Sequence, residues 1–205
     1  MQANEWVFVV DDDEAARESL EYLLASVGYH VRGYGSANEF LDKYDDSLGC
    51  VILDVRMPGM SGMQLQQELQ KRQSPLASIV VTGHGDIPMA VAAMRLGAVD
   101  FLQKPYNDQL LLERTEEALA RARGLHRAEE ARSEVDGCFN KLTCREREVA
   151  WLIHSGLSNK QIAHELSLSP KTVEVHRANV MSKMAARSVV DLVQKLSVLV
   201  VPKPC

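Results

Sequence analysis

The sequence predicts an α/β domain with a five-stranded parallel sheet, followed by a linker and a small all-α domain. In the first 122 of the 205 residues, apolar runs of strand length alternate five times with segments of helical periodicity. Beyond residue 137 the segments are short, and all of them have helical patterns. Parallel strands need crossover connections, and helices usually provide them. We therefore expect a doubly wound domain over residues 1–122, a linker over 123–137 and a four-helix domain over 138–205.

The elements of the first domain follow from the spacing of its apolar residues. Runs rich in β-branched and aromatic residues predict strands, and apolar residues three and four apart predict helices. Residues 127–136 alternate charges without a helix breaker, so we expect a partly helical, solvent-exposed connector, with disorder as the alternative. The five predicted strand–helix pairs are residues 7–10 with 14–26, 30–34 with 37–44, 51–53 with 63–71, 79–82 with 87–95, and 99–103 with 108–121.

Residues suited to helix ends mark the second domain. Serine and threonine accept hydrogen bonds from the free amides of a first turn, and proline fits the first helical position. Thr143 and Glu146 also have the spacing of a capping box. The four predicted helices follow Thr143, Ser158, Ser169 with Pro170, and Arg187.

Composition excludes several classes of protein. A content of 46% hydrophobic and 25% charged residues is typical of a soluble globular protein. No stretch has the length and apolarity of a membrane span, and strand-like residues 6–10 before an acidic cluster do not fit a signal peptide. The four cysteines form no C-x-x-C pair, which favours reduced thiols over a zinc site or a disulfide framework. We therefore expect a cytoplasmic protein that does not bind membranes.

The net charge of −5 is unevenly distributed along the chain. Residues 1–124 contain 19 acidic and 11 basic side chains, whereas residues 137–205 contain 5 acidic and 10 basic ones. The two parts therefore suit different partners, and the basic part indicates contact with a polyanion.

Acidic side chains follow two strands that we expect to be neighbours. Asp11, Asp12 and Asp13 follow the first strand, and Asp54 ends the third. In the flavodoxin-like strand order 2-1-3-4-5 these two strands are adjacent. Converging carboxylates repel one another unless a cation lies among them, and oxygen ligands suit Mg²⁺, or Mn²⁺ in its place. The sequence therefore predicts a divalent metal site at this edge of the sheet.

Two further polar residues end the remaining strands at the same edge. Thr82 ends the fourth strand and Lys104 the fifth. A carboxylate nucleophile, a metal ion, a hydroxyl and an ammonium can together receive a phosphoryl group, because this transfer depends mainly on positioning and charge neutralisation. Asp54 is the candidate nucleophile, and the Lys104–Pro105 peptide bond is a candidate for the cis form.

The residues at these strand ends resemble the receiver domain of two-component response regulators over residues 5–122. The resemblance implies that a partner histidine kinase phosphorylates Asp54. It also implies that Asp12, Asp54 and the Arg56 carbonyl bind Mg²⁺, with Asp11 acting through a metal-bound water. Thr82 and Lys104 would contact the phosphoryl oxygens, and Phe101 would be an aromatic switch. The segments that carry the resemblance are Val10-Asp11-Asp12, Asp54-x-x-Met57-Pro58-Gly59-Met60-Ser61-Gly62, Thr82-Gly83-His84-Gly85-Asp86 and Lys104-Pro105.

A phosphatase of the haloacid dehalogenase type is an alternative, because such enzymes also place Asp-x-Asp after the first strand. Asp11 would then be the nucleophile and Asp13 the general acid. No acidic pair follows Lys104 at a strand end, the chain has no cap insertion, and Asp54 would have no role. These features favour the receiver.

Residues 158–184 have the pattern of a helix-turn-helix, in which two helices are joined by a tight connection. The second helix places Val173, His176, Val180 and Met184 on one face, which we expect to be core. We expect Lys160, Lys171 and Lys183 to contact phosphates, and Glu174, Val175 and Ala178 to lie nearest the base edges. Glu174 either accepts from cytosine or pairs with Lys171 or Arg177. The full set of candidate DNA-binding residues is Lys160, Lys171, Thr172, Glu174, Val175, Arg177, Ala178, Asn179 and Lys183.

Residues 140–200 resemble the LuxR/NarL-type helix-turn-helix, and the whole architecture is similar to FixJ-like response regulators. The resemblance implies a transcription regulator rather than an enzyme with a separate substrate. It further implies a homodimer that forms on phosphorylation through residues 87–101, and RNA polymerase as a further partner. The last helix either resembles the dimerisation helix of the family or only closes the small core. A DNA-binding protein that does not depend on phosphorylation is the alternative. The segments that carry the resemblance are Leu142-Thr143-x-Arg145-Glu146-x-Glu148-Val149, Asn159-Lys160-x-Ile162-Ala163 and Thr172-Val173-x-x-His176-x-x-Asn179-Val180-x-x-Lys183-Met184.

Overall fold

Residues 5–199 are described by a computed structural model of the chain. The expected free thiol of Cys205 lies outside these residues, whereas Cys50, Cys138 and Cys144 are unbridged. The chain divides into two units between Arg127 and Ala128. The elements are β1 (Trp6–Val10), α1 (Glu14–Ser26), β2 (His30–Tyr34), α2 (Ala37–Lys43), β3 (Gly49–Asp54), α3 (Gly62–Lys71), β4 (Ala77–Thr82), α4 (Ile87–Arg95), β5 (Asp100–Gln103), α5 (Asp108–Phe139), α6 (Cys144–His154), α7 (Asn159–Glu165), α8 (Pro170–Lys183) and α9 (Val189–Ser197).

The first unit contains one parallel sheet with the strand order β2-β1-β3-β4-β5, which confirms the predicted fold class. The central strands β3 and β4 are buried along their whole length, as expected for strands covered on both faces. Side chains of α1 and α5 pack on one face of the sheet, and those of α2, α3 and α4 pack on the other. Val10 of β1 pairs with Leu53 of β3, so the segments that follow these strands begin side by side.

Helix α5 is a single helix from Asp108 to Phe139 and contains 32 residues. It passes through the whole of residues 123–137, so the alternative of a disordered linker is wrong. No proline interrupts this stretch. Ion pairs between side chains one turn apart stabilise the helix, such as Arg132 Nη1 with Glu129 Oε2 at 3.9 Å. None of the helices within residues 5–199 combines the length and the apolarity needed to cross a membrane.

The second unit contains α6 to α9 around one apolar core, which confirms the predicted helical domain. The capping box of Thr143 and Glu146 begins α6, and a second capping box begins α7 at Ser158. Ser169 is the N-cap of α8, and Pro170 occupies its first turn. The largest fully buried side chains of this core are Ile162, Met184 and Leu192.

Candidate functional site

An ammonium group joins two buried carboxylates at the carboxyl edge of the sheet. Lys104 Nζ donates to Asp11 Oδ2 at 2.6 Å and to Asp54 Oδ1 at 2.9 Å. Asp11 and Asp54 are only 3% and 7% exposed, so the cation between them offsets the cost of burying two negative charges. Burial lowers the pKa of Lys104, but the hydrogen bonds and charges of the two aspartates outweigh it and raise the pKa above its ordinary value.

The carboxylate of Asp54 is held in one orientation. Its Oδ2 accepts from the Arg56 amide at 2.6 Å, while its Oδ1 faces Lys104. The start of α3 lies close to the end of β3. A Cβ added to Gly62 would come within 2.1 Å of the Asp54 carbonyl oxygen. Gly62 thus permits the close approach of α3 that fixes the end of β3.

The three consecutive aspartates have different environments. Asp11 Oδ1 accepts from the Asp13 amide at 3.0 Å, and Asp12 is exposed. The Asp13 side chain caps α1 by accepting from the amides of Ala15 and Ala16. Asp13 therefore acts as a helix cap, which does not fit the general-acid role that the phosphatase alternative requires.

The oxygen atoms of this edge suit a hard divalent cation. Asp54 ends β3, Arg56 follows it, and Asp11 and Asp12 follow the neighbouring strand β1. All four residues offer oxygen ligands, the one from Arg56 being its carbonyl. Across residues 5–199, no three His, Cys, Asp or Glu side chains are gathered closely enough to hold a metal ion. The acidic side chains of this edge are kept apart because Lys104 lies between Asp11 and Asp54 and because Asp12 is exposed. The donor chemistry fits Mg²⁺ or Mn²⁺.

Thr82 is the last residue of β4, and Phe101 lies within the neighbouring strand β5. Thr82 is fully buried, and its Oγ1 accepts from the His84 amide at 3.3 Å. Phe101 is half-buried and packs against the cluster of Val80 and Ala93. A Cβ on Gly85 would lie 2.7 Å from Phe101 Cε1 and 3.0 Å from Thr82 Cγ2, so this glycine provides the space for the ring. The Lys104–Pro105 bond is cis.

A buried glutamine connects three elements near this site, and sequence reasoning missed it. Gln66 of α3 donates from Nε2 to Ser78 Oγ at 3.2 Å and to the Ala93 carbonyl at 3.1 Å. Its Oε1 has no hydrogen-bond partner among the residues described. Gln66 thus holds α4 against β4 and α3. A glutamine within a polar helix has no sequence signal that marks it as buried.

The exposed face of α4 is apolar. Ile87 is 80% exposed, Val91 44% and Met94 48%. Their spacing of four and three residues places them on one side of the helix. Helix α4 therefore exposes three large apolar side chains on one side.

The second helix of the predicted helix-turn-helix, α8, has a core face and an exposed face. Val173, Val180 and Met184 are fully buried, whereas His176 on the predicted core stripe is half-buried. Arg177 is also half-buried. The exposed candidates for DNA binding are Lys160, Lys171, Thr172, Glu174, Val175, Ala178 and Asn179.

Lys183 has a partner within its own domain. Its Nζ donates to Glu146 Oε2 at 2.6 Å, and the same carboxylate accepts from the Thr143 amide at 2.8 Å. The Lys183 bond and the Thr143 bonds lower the pKa of Glu146 to about 2 in spite of its burial. Lys183 thus contacts Glu146 within its own domain, and its phosphate contact stays a prediction.

Comparison with known proteins identifies both units. Residues 7–116 match the family model of the response regulator receiver domain, and residues 140–196 match that of the bacterial regulatory proteins of the luxR family. The transcriptional regulatory protein FixJ of Azorhizobium caulinodans is 50% identical over 189 residues, which are 92% of this chain and 90% of that protein. FixJ of Bradyrhizobium diazoefficiens is 46% identical over 189 residues, which are 92% of this chain and 92% of that protein.

Solved structures agree with these relatives. The response regulator StyR is 43% identical, with a TM-score of 0.76 over 94% of this chain and 98% of that one. Full-length FixJ from B. japonicum is also 43% identical, with a TM-score of 0.58 over 97% of both chains. Family membership excludes the phosphatase alternative. The chain belongs to the FixJ-like response regulators, transcription regulators that combine a receiver domain with a LuxR-type DNA-binding domain.

Proposed function

We propose that Asp54 accepts a phosphoryl group from a partner histidine kinase. The observation that carries this proposal is the contact of Lys104 with both Asp11 and Asp54, at 2.6 and 2.9 Å. The ammonium lies where negative charge increases when the carboxylate becomes an acyl phosphate, so it can stabilise the product without moving far. The Arg56 amide fixes one carboxylate oxygen and leaves the Lys104 side as the reacting side.

We assign the divalent cation, Mg²⁺ or Mn²⁺, to Asp11, Asp12, Asp54 and the Arg56 carbonyl. When bound, the cation would neutralise charge on the transferred group. Family membership supports this assignment, because receiver domains generally bind Mg²⁺ at the acidic phosphorylation site. Asp12 is exposed, so no packed neighbour restricts the rotation of its carboxylate.

The response to phosphorylation passes to α4 in this proposal. The Thr82 hydroxyl and Lys104 hold the phosphoryl oxygens, and the shift of Thr82 opens the space into which Phe101 turns. The apolar face of α4 then joins that of a second copy. The resulting homodimer presents two copies of α8 to a two-fold DNA site.

The DNA contacts in this proposal come from the exposed face of α8 and from α7. Lys160, Lys171, Thr172, Arg177 and Asn179 contact the phosphate backbone, while Glu174, Val175 and Ala178 face base edges. Lys183 is not included because Glu146 holds its ammonium group. Such a regulator acts in the cytoplasm, with double-stranded DNA, a sensor kinase and RNA polymerase as its partners.

The test is to incubate the chain with Mg²⁺ and a small acyl-phosphate donor, then reduce the acyl phosphate chemically and map the modified peptide. We expect modification of Asp54 and none in the Asp54→Asn variant. Asp42→Asn is the matched control, because it removes an exposed aspartate of α2 and should leave labelling unchanged. Label on another residue, or no label from the donor or from a kinase, would contradict the proposal and favour DNA binding that does not depend on phosphorylation.

A further inference from the structure

We propose that Glu174 selects cytosine at one position of the DNA site. This inference deepens the proposed DNA contacts and depends on them. Glu174 is exposed on α8. No ion pair within residues 5–199 joins Glu174 to Lys171, Arg177 or any other cation. Elsewhere in the same unit, Glu146 pairs with Lys183 and Glu148 pairs with Arg145.

An unpaired carboxylate on this face is unfavourable for binding a polyanion. It repels the phosphates, and it loses hydration when the helix enters the major groove. Only a hydrogen-bond donor on the DNA can compensate for that loss. The charge of Glu174 therefore indicates a function in selectivity, because it penalises every site that lacks a suitable donor.

The chemistry of the base edges identifies the donor. In the major groove, cytosine presents the N4 amino group, while guanine and thymine present acceptors that repel a carboxylate. Adenine presents an amino group beside the N7 acceptor, which suits an amide better than a carboxylate. A side chain that can only accept therefore selects cytosine.

The neighbours of Glu174 allow close approach to the bases. Ala178 lies one turn further along the same face, and its small side chain leaves room for the helix to approach the bases. Val175 is 56% exposed and can contact a thymine methyl group at an adjacent position. Lys171 lies one turn before Glu174 and provides a cation for the phosphate backbone of the DNA.

The experiment compares base preference between variants. The full chain, treated with Mg²⁺ and an acyl-phosphate donor, selects duplexes from a random pool, and the recovered DNA is sequenced. We expect the wild type to prefer cytosine at one position by about fivefold or more. Glu174→Gln should move this preference to adenine, because an amide can both donate and accept. Glu174→Ala should lose the preference at that position and bind unselected DNA more tightly.

Glu134→Gln is the matched control, because it makes the same charge change at an exposed residue of α5. It should select the same sequences as the wild type. The inference is overturned if wild type, Glu174→Gln and Glu174→Ala all enrich the same bases. If the wild type and all variants enrich no sequence, the proposed DNA contacts fail, and the inference fails with them.

Discussion

Lys183 Nζ lies 2.6 Å from Glu146 Oε2, and this contact connects the end of α8 to the first turn of α6. Glu146 is 3% exposed and also completes the capping box of α6 through the Thr143 amide. One carboxylate therefore stabilises the start of α6 and connects it to the end of α8.

Glu146→Gln should destabilise the second unit by about 2 kcal/mol at neutral pH, because it removes a charged hydrogen bond but keeps an acceptor for the cap. The wild-type pKa of about 2 lies below the ordinary 4.5, so the charge of Glu146 stabilises the folded state above pH 4.5. This contribution is lost as the pH falls from 4.5 toward 2.

The measurement is urea unfolding between pH 6 and pH 3, followed by Trp151 fluorescence in a Trp6→Phe background. The stability difference between wild type and Glu146→Gln should shrink as the pH falls, while Glu134→Gln should behave as the wild type. A difference that does not change with pH would show that Glu146 does not act through its charge.

Gly85→Ala should weaken the link between phosphorylation and dimer formation. The added Cβ would lie 2.7 Å from Phe101 Cε1, so the ring must move even without phosphorylation. We expect a smaller difference in dimer fraction, with and without acyl phosphate, than in the wild type, measured by sedimentation velocity.

Gly83→Ala is the control, because a Cβ there meets no atom within 4 Å. It should respond to acyl phosphate as the wild type does. Equal responses in the wild type and both variants would show that Phe101 does not couple phosphorylation to dimer formation.

Val91→Glu should prevent the phosphorylation-dependent dimer. The substitution places a charge in the exposed apolar face of α4, and Val91 is already 44% exposed, so stability of the monomer should change by less than about 0.5 kcal/mol. Tyr22→Glu introduces the same charge on α1 at a residue that is 79% exposed and should leave the dimer intact. Sedimentation velocity checks both variants, and a full dimer fraction in Val91→Glu would place the interface elsewhere.

Lys171→Ala should weaken binding to all DNA sequences alike. Loss of one phosphate contact should reduce the slope of the logarithm of affinity against the logarithm of salt concentration by about 0.9. Binding titrations on a selected and a shuffled duplex measure this slope. Lys71→Ala on the receiver should leave it unchanged, and an unchanged slope in Lys171→Ala would exclude the phosphate contact.

The contact of Lys104 with Asp54 was predictable from the sequence, because parallel strands end at one edge, Asp54 ends β3 and Lys104 directly follows β5. The contact of Lys183 with Glu146 was not, because it depends on the angle between two helices rather than on spacing along the chain. The capping-box pattern indicated where Glu146 lies but not that it is buried. Gln66 was missed for the same reason, since its partners come from β4 and α4.

The three consecutive aspartates of the receiver show what a local sequence pattern does not determine. The sequence grouped Asp11, Asp12 and Asp13 as one acidic cluster, and only the structure separates the buried Asp11 from the helix cap Asp13. Alternating charges in residues 127–136 left helix and disorder both open, because such segments lack an apolar stripe. The structure extends α5 through them.

The most direct measurement compares the wild type with Asp54→Asn for dimer fraction and DNA affinity, each with Mg²⁺ and with or without an acyl-phosphate donor. Phosphorylation of Asp54 predicts that both quantities rise in the wild type when the donor is added and that neither changes in Asp54→Asn. An equal rise in both proteins, or no rise in a wild-type chain shown to carry the phosphoryl group on Asp54, would contradict phosphorylation of Asp54 as the switch.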